Sequence, residues 1–139
     1  MDVIIGNLLA WRGVLASVAA ALQGPKAAAD ATIMGLETAT KAAAGTPGAP
    51  AAYAAEQAGK AALLAQMSSL IKSMSGGADI HACMTPLPVP PHGPGVVIDG
   101  SKTVMINNLA ACRLGDTVLE AVGPPDKIIK GEMTVIIGG

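Results

Sequence analysis

The chain has 139 residues and a mass of 13.7 kDa, the size of one ordinary domain or of a small domain with an appendage. Its net charge of −1 and 14% charged residues offer no basic face, which excludes nucleic acid as a partner. Hydrophobic residues reach 51% but aromatics only 1%, so any core is thin and built from Ala, Val, Ile, Leu and Met.

Residues 1–75 are Ala-rich, and their periodicity predicts three helical stretches. Ile4, Leu8, Trp11, Leu15, Val18 and Leu22 alternate four and three apart, an a/d seam that starts from Asp2 and stops at Gly24-Pro25. Ala29, Ile33, Leu36, Thr40 and Ala43 repeat the spacing up to Gly45-Thr46-Pro47-Gly48. A third stretch starts with Pro50 in its first turn and carries Leu64, Met67, Ile71 and Met74. The short Gly/Pro connections imply antiparallel neighbours, a helical hairpin or bundle.

The apolar stretch 3–22 carries Arg12 as its one charge. A signal peptide wants positive charge where Asp2 stands. A membrane span would place Arg12 at mid-bilayer, at a cost of roughly 2.5–3.5 kcal/mol. The heptad seam favours a packed helix, with a membrane-active segment as the second reading.

Ser75-Gly76-Gly77 ends the helical part and opens a turn-rich one. Residues 76–139 hold seven of the ten prolines and every Cys and His. Short β-branched runs predict strands at Gly95–Ile98, Thr103–Ile106, Lys127–Ile129 and Thr134–Ile137. Turn signals separate them at Asp99-Gly100, Asn107-Asn108, Gly115-Asp116, Gly123-Pro124-Pro125-Asp126 and Lys130-Gly131. Residues 98–108 can be laid on 129–139, matching Gly100 with Gly131, Thr103 with Thr134, Val104 with Val135 and Ile106 with Ile137. Such self-similarity implies a unit that stacks on its copy. The whole reads as α+β, a helical region at 1–75 followed by a small β domain at 76–139.

His81, Cys83, His92 and Cys112 are the chain's only His and Cys residues. His81 and Cys83 are two apart, so a strand sends both side chains to one side. His92 follows the arm Pro86-Leu87-Pro88-Val89-Pro90-Pro91, whose prolines favour an extended path. Two thiolates and two imidazoles form a closed tetrahedral set suited to structural zinc. A metal would supply the centre that a fold with few large apolar side chains lacks. A Cys83–Cys112 disulfide and a Cys112 buried as a small core residue stay open beside it. Water or Glu120 are alternative fourth ligands, and removing Glu120 is expected to leave the unit folded. Asp79 reads as a turn cap, and Arg113 and Asp116 as partners across a tight turn. No phosphate loop, nucleophile elbow or Ser/His/Asp set stands out.

Asp79-Ile80-His81-Ala82-Cys83, Pro91-His92-Gly93-Pro94-Gly95, Gly100 to Asn107, Ala110-Ala111-Cys112-Arg113-Leu114-Gly115-Asp116 and Gly131 to Gly139 together resemble the PAAR-repeat proteins. These cap the spike of bacterial type VI secretion systems and related contractile injection machines. The resemblance covers residues 78–139, with Ala110-Ala111-Cys112-Arg113 standing where the family reads Pro-Ala-Ala-Arg. It implies a small cone of β-hairpins with rough threefold symmetry, pinned near its vertex by a zinc ion on His and Cys. His81, Cys83 and His92 carry over, and Cys112 is the remaining candidate for the fourth ligand. It implies a non-enzymatic tip, one per trimer of a VgrG-like spike protein, whose base offers residues such as Val97, Val104 and Val135. The helical region would then meet the spike's side, an effector, a chaperone or a membrane. The expected location is the bacterial cytoplasm before firing, then the extracellular space or target cell. A zinc-stabilised binding module with a helical membrane or effector tether is the alternative, and a metallohydrolase using Glu120 or Asp79 as base is the third reading.

Overall fold

The computed structural model describes residues 3–83 and 92–138. The cap at Asp2 and the arm at 86–91 lie outside the described residues. The class is α+β, two long helices and a set of short antiparallel strands.

The chain opens with strands, where the seam had predicted a helix. β1 (Ile4–Ile5) and β2 (Leu8–Leu9) form a hairpin in which Ile4 pairs with Leu9 and Ile5 with Leu8. Gly6 at φ 57° and Asn7 at φ 63° make the two-residue turn. Both central residues are left-handed, the geometry that matches the twist of flanking strands. β3 (Arg12–Gly13) then pairs with β7 (Leu109–Ala111), which also pairs with β6 (Met105–Ile106) across the left-handed turn Asn107-Asn108. The heptad spacing of Ile4, Leu8 and Trp11 was therefore fortuitous; Gly6-Asn7, a pair no helix favours, carried the real signal.

The helices are α1 (Ala16–Ala43) and α2 (Ala49–Met74). The predicted break at Gly24-Pro25 does not occur. Pro25 faces solvent, where the carbonyl that loses its bond can take water. Its neighbours are fixed on the opposite face: Leu22 is fully buried, and the Lys26 ammonium donates to the Gly123 carbonyl at 2.7 Å. The third predicted helix, starting at Pro50 and ending by Ser75, is observed within one residue.

The two helices run antiparallel. Thr40 donates its hydroxyl to the Ala52 carbonyl at 3.3 Å, and the Lys60 ammonium bonds Glu37 at 2.7 Å and Glu56 at 2.6 Å. Gly59 allows the close approach, because a Cβ there would meet Leu36 Cδ1 at 2.4 Å. Nearer the strands, Val14, Leu22, Met67 and Ile71 enter one core with Val96, Leu119 and Ala121. No described helix is long and apolar enough to cross a membrane, and residues 3–22 do not form one helix.

A four-stranded antiparallel sheet completes the fold in the order β4 (Ile80–Cys83), β5 (Gly93–Val97), β8 (Thr117–Glu120), β9 (Asp126–Lys127). β8 is a strand the sequence reading did not pick out, and β9 covers only the start of its predicted run. The expected strand at Thr134–Ile137 is absent. It has no neighbouring strand to pair with, and Ile129 and Ile136 are 83% and 95% exposed. A lone strand leaves its backbone donors and acceptors to water. Val97 also departs from expectation: it is fully buried, its carbonyl accepting the Val14 N–H, so it presents nothing at a docking surface.

The match of 98–108 with 129–139 is not carried into structure, since residues 129–138 form no strand; the hairpins instead show a repeat that the sequence reading missed. Val3-Ile4-Ile5-Gly6-Asn7-Leu8-Leu9-Ala10-Trp11-Arg12 lies on Val104-Met105-Ile106-Asn107-Asn108-Leu109-Ala110-Ala111-Cys112-Arg113, each a strand, a left-handed turn and a return strand. The arginine ends both. Arg113 N–H, Nε and Nη2 donate to Asp116, and the Asp116 N–H returns to the Arg113 carbonyl at 3.2 Å. Arg12 N–H, Nε and Nη2 donate to Asp79, and the Asp79 N–H returns to the Arg12 carbonyl at 2.9 Å. The helical hairpin thus leaves and re-enters the β structure within one such turn.

Candidate functional site

The site is built across three neighbouring strands. His81 pairs with Gly95, and Gly95 with Glu120, so the three lie in one row over β4, β5 and β8. Alternation along β4 brings Cys83 to the same side as His81. Asp126, which opens β9, joins them: the ligand atoms of His81, Cys83 and Asp126 lie within 4.8 Å of one another. His92 stands beside this group, its Nδ1 3.8 Å from Asp126 Oδ2.

The polar atoms here lack partners. Both ring nitrogens of His92 and both carboxylate oxygens of Glu120 are buried without a hydrogen bond. Such groups are rare, and their clustering calls for an ion or a proton. Burial, with Asp126 adding to it and Lys26 opposing, pushes the Glu120 carboxyl up to about 7. Glu120 is fully inaccessible. Imidazole, thiolate and carboxylate oxygen are zinc's usual donors, so the residues present fit such an ion. The Trp11 ring meets the His81 ring edge-on at 6.3 Å between centroids.

Of the four residues singled out from the sequence, His81 and Cys83 converge and His92 lies next to them. Cys112 is not part of the group. Its N–H donates to the Trp11 carbonyl, and it faces the cavity lined by Trp11, Leu114 and Ile128. Burial, with Asp116, Asp79 and Asp99 adding to it and Arg113 opposing, pushes its thiol up to about 12. Both cysteines are free, so the alternative disulfide is not formed. Asp126 was read only as the end of a Pro-Pro turn; its place beside His81 comes from the β8–β9 pairing, which no local signal announces. Asp79 is engaged by Arg12, and the ion pair read across the Arg113–Asp116 turn is present at 3.1 Å.

A second feature lies on the hairpin side. A cavity of about 970 Å³ is lined by Leu8, Leu9, Trp11, Leu114, Ile128 and Ile136 among others. Around it Ile4, Leu8 and Leu9 are 67%, 74% and 64% exposed, and Met133 is 83% exposed. Apolar exposure of this kind is a common mark of an interaction surface.

Comparison with known proteins returned one family. The family model described as PAAR motif matches residues 89–139, which hold β5 to β9 and the C-terminal segment. No curated protein and no solved structure matches the chain. Proteins with this motif are structural spike components of type VI secretion and related contractile injection systems, associate with a spike protein, and are generally metal-binding. Residues 89–139 thus carry a PAAR motif, with the residues that fit a metal ion grouped beside it, which supports reading the chain as a PAAR-repeat protein.

Proposed function

We propose that this chain caps and sharpens a trimeric spike of the VgrG type, one tip per trimer, so that a contractile sheath can drive the assembly through a target envelope. The observation that carries the reading is the exposed apolar face built from β1–β2 and residues 128–138. A monomer gains nothing by leaving Leu8, Leu9 and Ile136 in water, whereas the blunt end of a β-rich trimer would bury them. Residues 129–138 lie outside any strand, and the stretch 129–133 offers backbone for strand addition to the same partner. The helical hairpin in this reading is an insertion within the β unit, free along its outer half to meet an effector or chaperone. Synthesis in the bacterial cytoplasm and delivery on the spike follow from the same role.

The ion in this reading is structural zinc, held by His81, Cys83 and Asp126 with His92 as the neighbouring fourth donor. It would crosslink β4, β9 and the start of β5, where few large side chains pack. The direct test mixes the full chain with a spike trimer and measures mass by light scattering. One chain per three spike chains is expected, and Leu8→Glu with Ile136→Glu should abolish the complex. No complex, or one copy per spike chain, would refute the role. Elemental analysis should find one zinc per chain, lost in Cys83→Ser and His92→Ala.

A further inference from the structure

The row His81–Gly95–Glu120 contains a buried side chain that the ligand group does not use. Glu120 is fully inaccessible, and neither carboxylate oxygen has a hydrogen-bond partner. Its Oε1 lies 3.6 Å from His81 Nε2, just past hydrogen-bond length. Gly95 stands between them in register, and the carboxylate lies over it: a Cβ on Gly95 would sit 2.6 to 2.8 Å from its carboxylate atoms. The absence of a side chain on the middle strand is what lets a carboxylate on β8 reach an imidazole two strands away. An unpaired charge in such a place is costly, so its retention needs a return elsewhere. Metal-bound imidazoles commonly donate their second N–H to a carboxylate, which fixes the tautomer and strengthens the ligand.

We infer that Glu120 is a positioning residue for the metal centre, accepting the His81 Nε2–H so that Nδ1 faces the ion, with Gly95 as the gap that admits it. This inference rests on the metal reading above and assigns Glu120 no direct bond to the ion. The test uses the full chain and its Glu120→Gln, His81→Ala and double variants. Zinc affinity is measured by competition with a chromophoric chelator, and the ligand set by cobalt(II) absorption. Glu120→Gln should bind zinc about 10- to 100-fold more weakly with an unchanged cobalt spectrum. The double variant should bind no more weakly than His81→Ala alone. The metal-free Glu120→Gln protein should unfold at a urea midpoint equal to or above that of the metal-free parent, because a buried unpaired charge has been removed. Wild-type zinc affinity in Glu120→Gln, an additive loss in the double variant, or a lowered metal-free midpoint would overturn the assignment. A changed cobalt spectrum would make Glu120 a ligand and overturn it too. A parent chain that binds neither zinc nor cobalt would sink the metal reading and this inference with it, an outcome distinct from the other four.

Discussion

Two turns in this molecule are closed by the same contacts but differ in what they enclose. Arg113 and Asp116 are three positions apart and close a tight turn; Arg12 and Asp79 are 67 positions apart and enclose the whole helical hairpin. In both, an aspartate takes the backbone and guanidinium N–H groups of the arginine, and the arginine carbonyl takes the aspartate N–H. The difference teaches that a turn with self-sufficient contacts at its ends accepts a large insertion. Closing a longer loop costs only slowly more entropy, and the inserted helices offset it by burying Leu22 and Ile71 against Val96 and Leu119.

The strongest way to break the comparison is to remove that shared core. Leu22→Ala or Ile71→Ala should cost about 2–5 kcal/mol each, since both side chains are fully buried. Helical and β signals should then be lost in one urea transition. Separate transitions would show the insertion to be an independent domain.

A smaller effect compares the two aspartates. Asp116→Ala should cost about 1–3 kcal/mol, the penalty for leaving buried donors unpaired. Asp79→Ala should cost less, because its side chain is 29% exposed against 7% for Asp116. Equal midpoints for the two variants would mean that burial does not distinguish the turns.

The pair Trp11 and Cys112, which occupy matching places in the two hairpins, gives a kinetic readout. The Cys112 thiol, pushed up to about 12 by burial, should resist iodoacetamide at neutral pH until the chain is unfolded. Rapid labelling of Cys112 in the native protein would contradict that upward shift.

The smallest effect concerns the hairpin's own charges. Hydrogen bonds from Lys60 and then Thr40 hold Glu56 below its usual 4.5. Its contribution is therefore present above that pH and lost as pH falls through the lowered value. Burial pulls Lys60 down, but bonds to Glu37 and Glu56 outweigh it and raise the group above 10.5, so its contribution fades only as pH rises past that. Glu56→Gln should lower the urea midpoint at neutral pH and converge with the parent in acid, flattening the acid side of the stability curve.

Much of this was legible in residues alone. Pro50 and the Leu64–Met74 seam marked α2, Gly45 to Gly48 marked the hairpin loop, and the β-branched run at Gly95–Ile98 marked β5. The ordered motifs from Asp79 onward carried the family, and His81 and Cys83 fell together because a strand alternates. Those are local facts, fixed by periodicity of 3.6 or 2 and by residues with special backbone preferences. Which short apolar run becomes a strand was decided by neighbours: Ile4 to Leu9 found a turn and a partner, Thr134–Ile137 found none, and Pro25 stayed helical because flanking residues were anchored elsewhere. The choice of Asp126 over Cys112 beside His81, and the burial of Glu120 over Gly95, depend on the register of β4, β5, β8 and β9. Register is a long-range pairing, and no stretch of chain contains it until the strands meet.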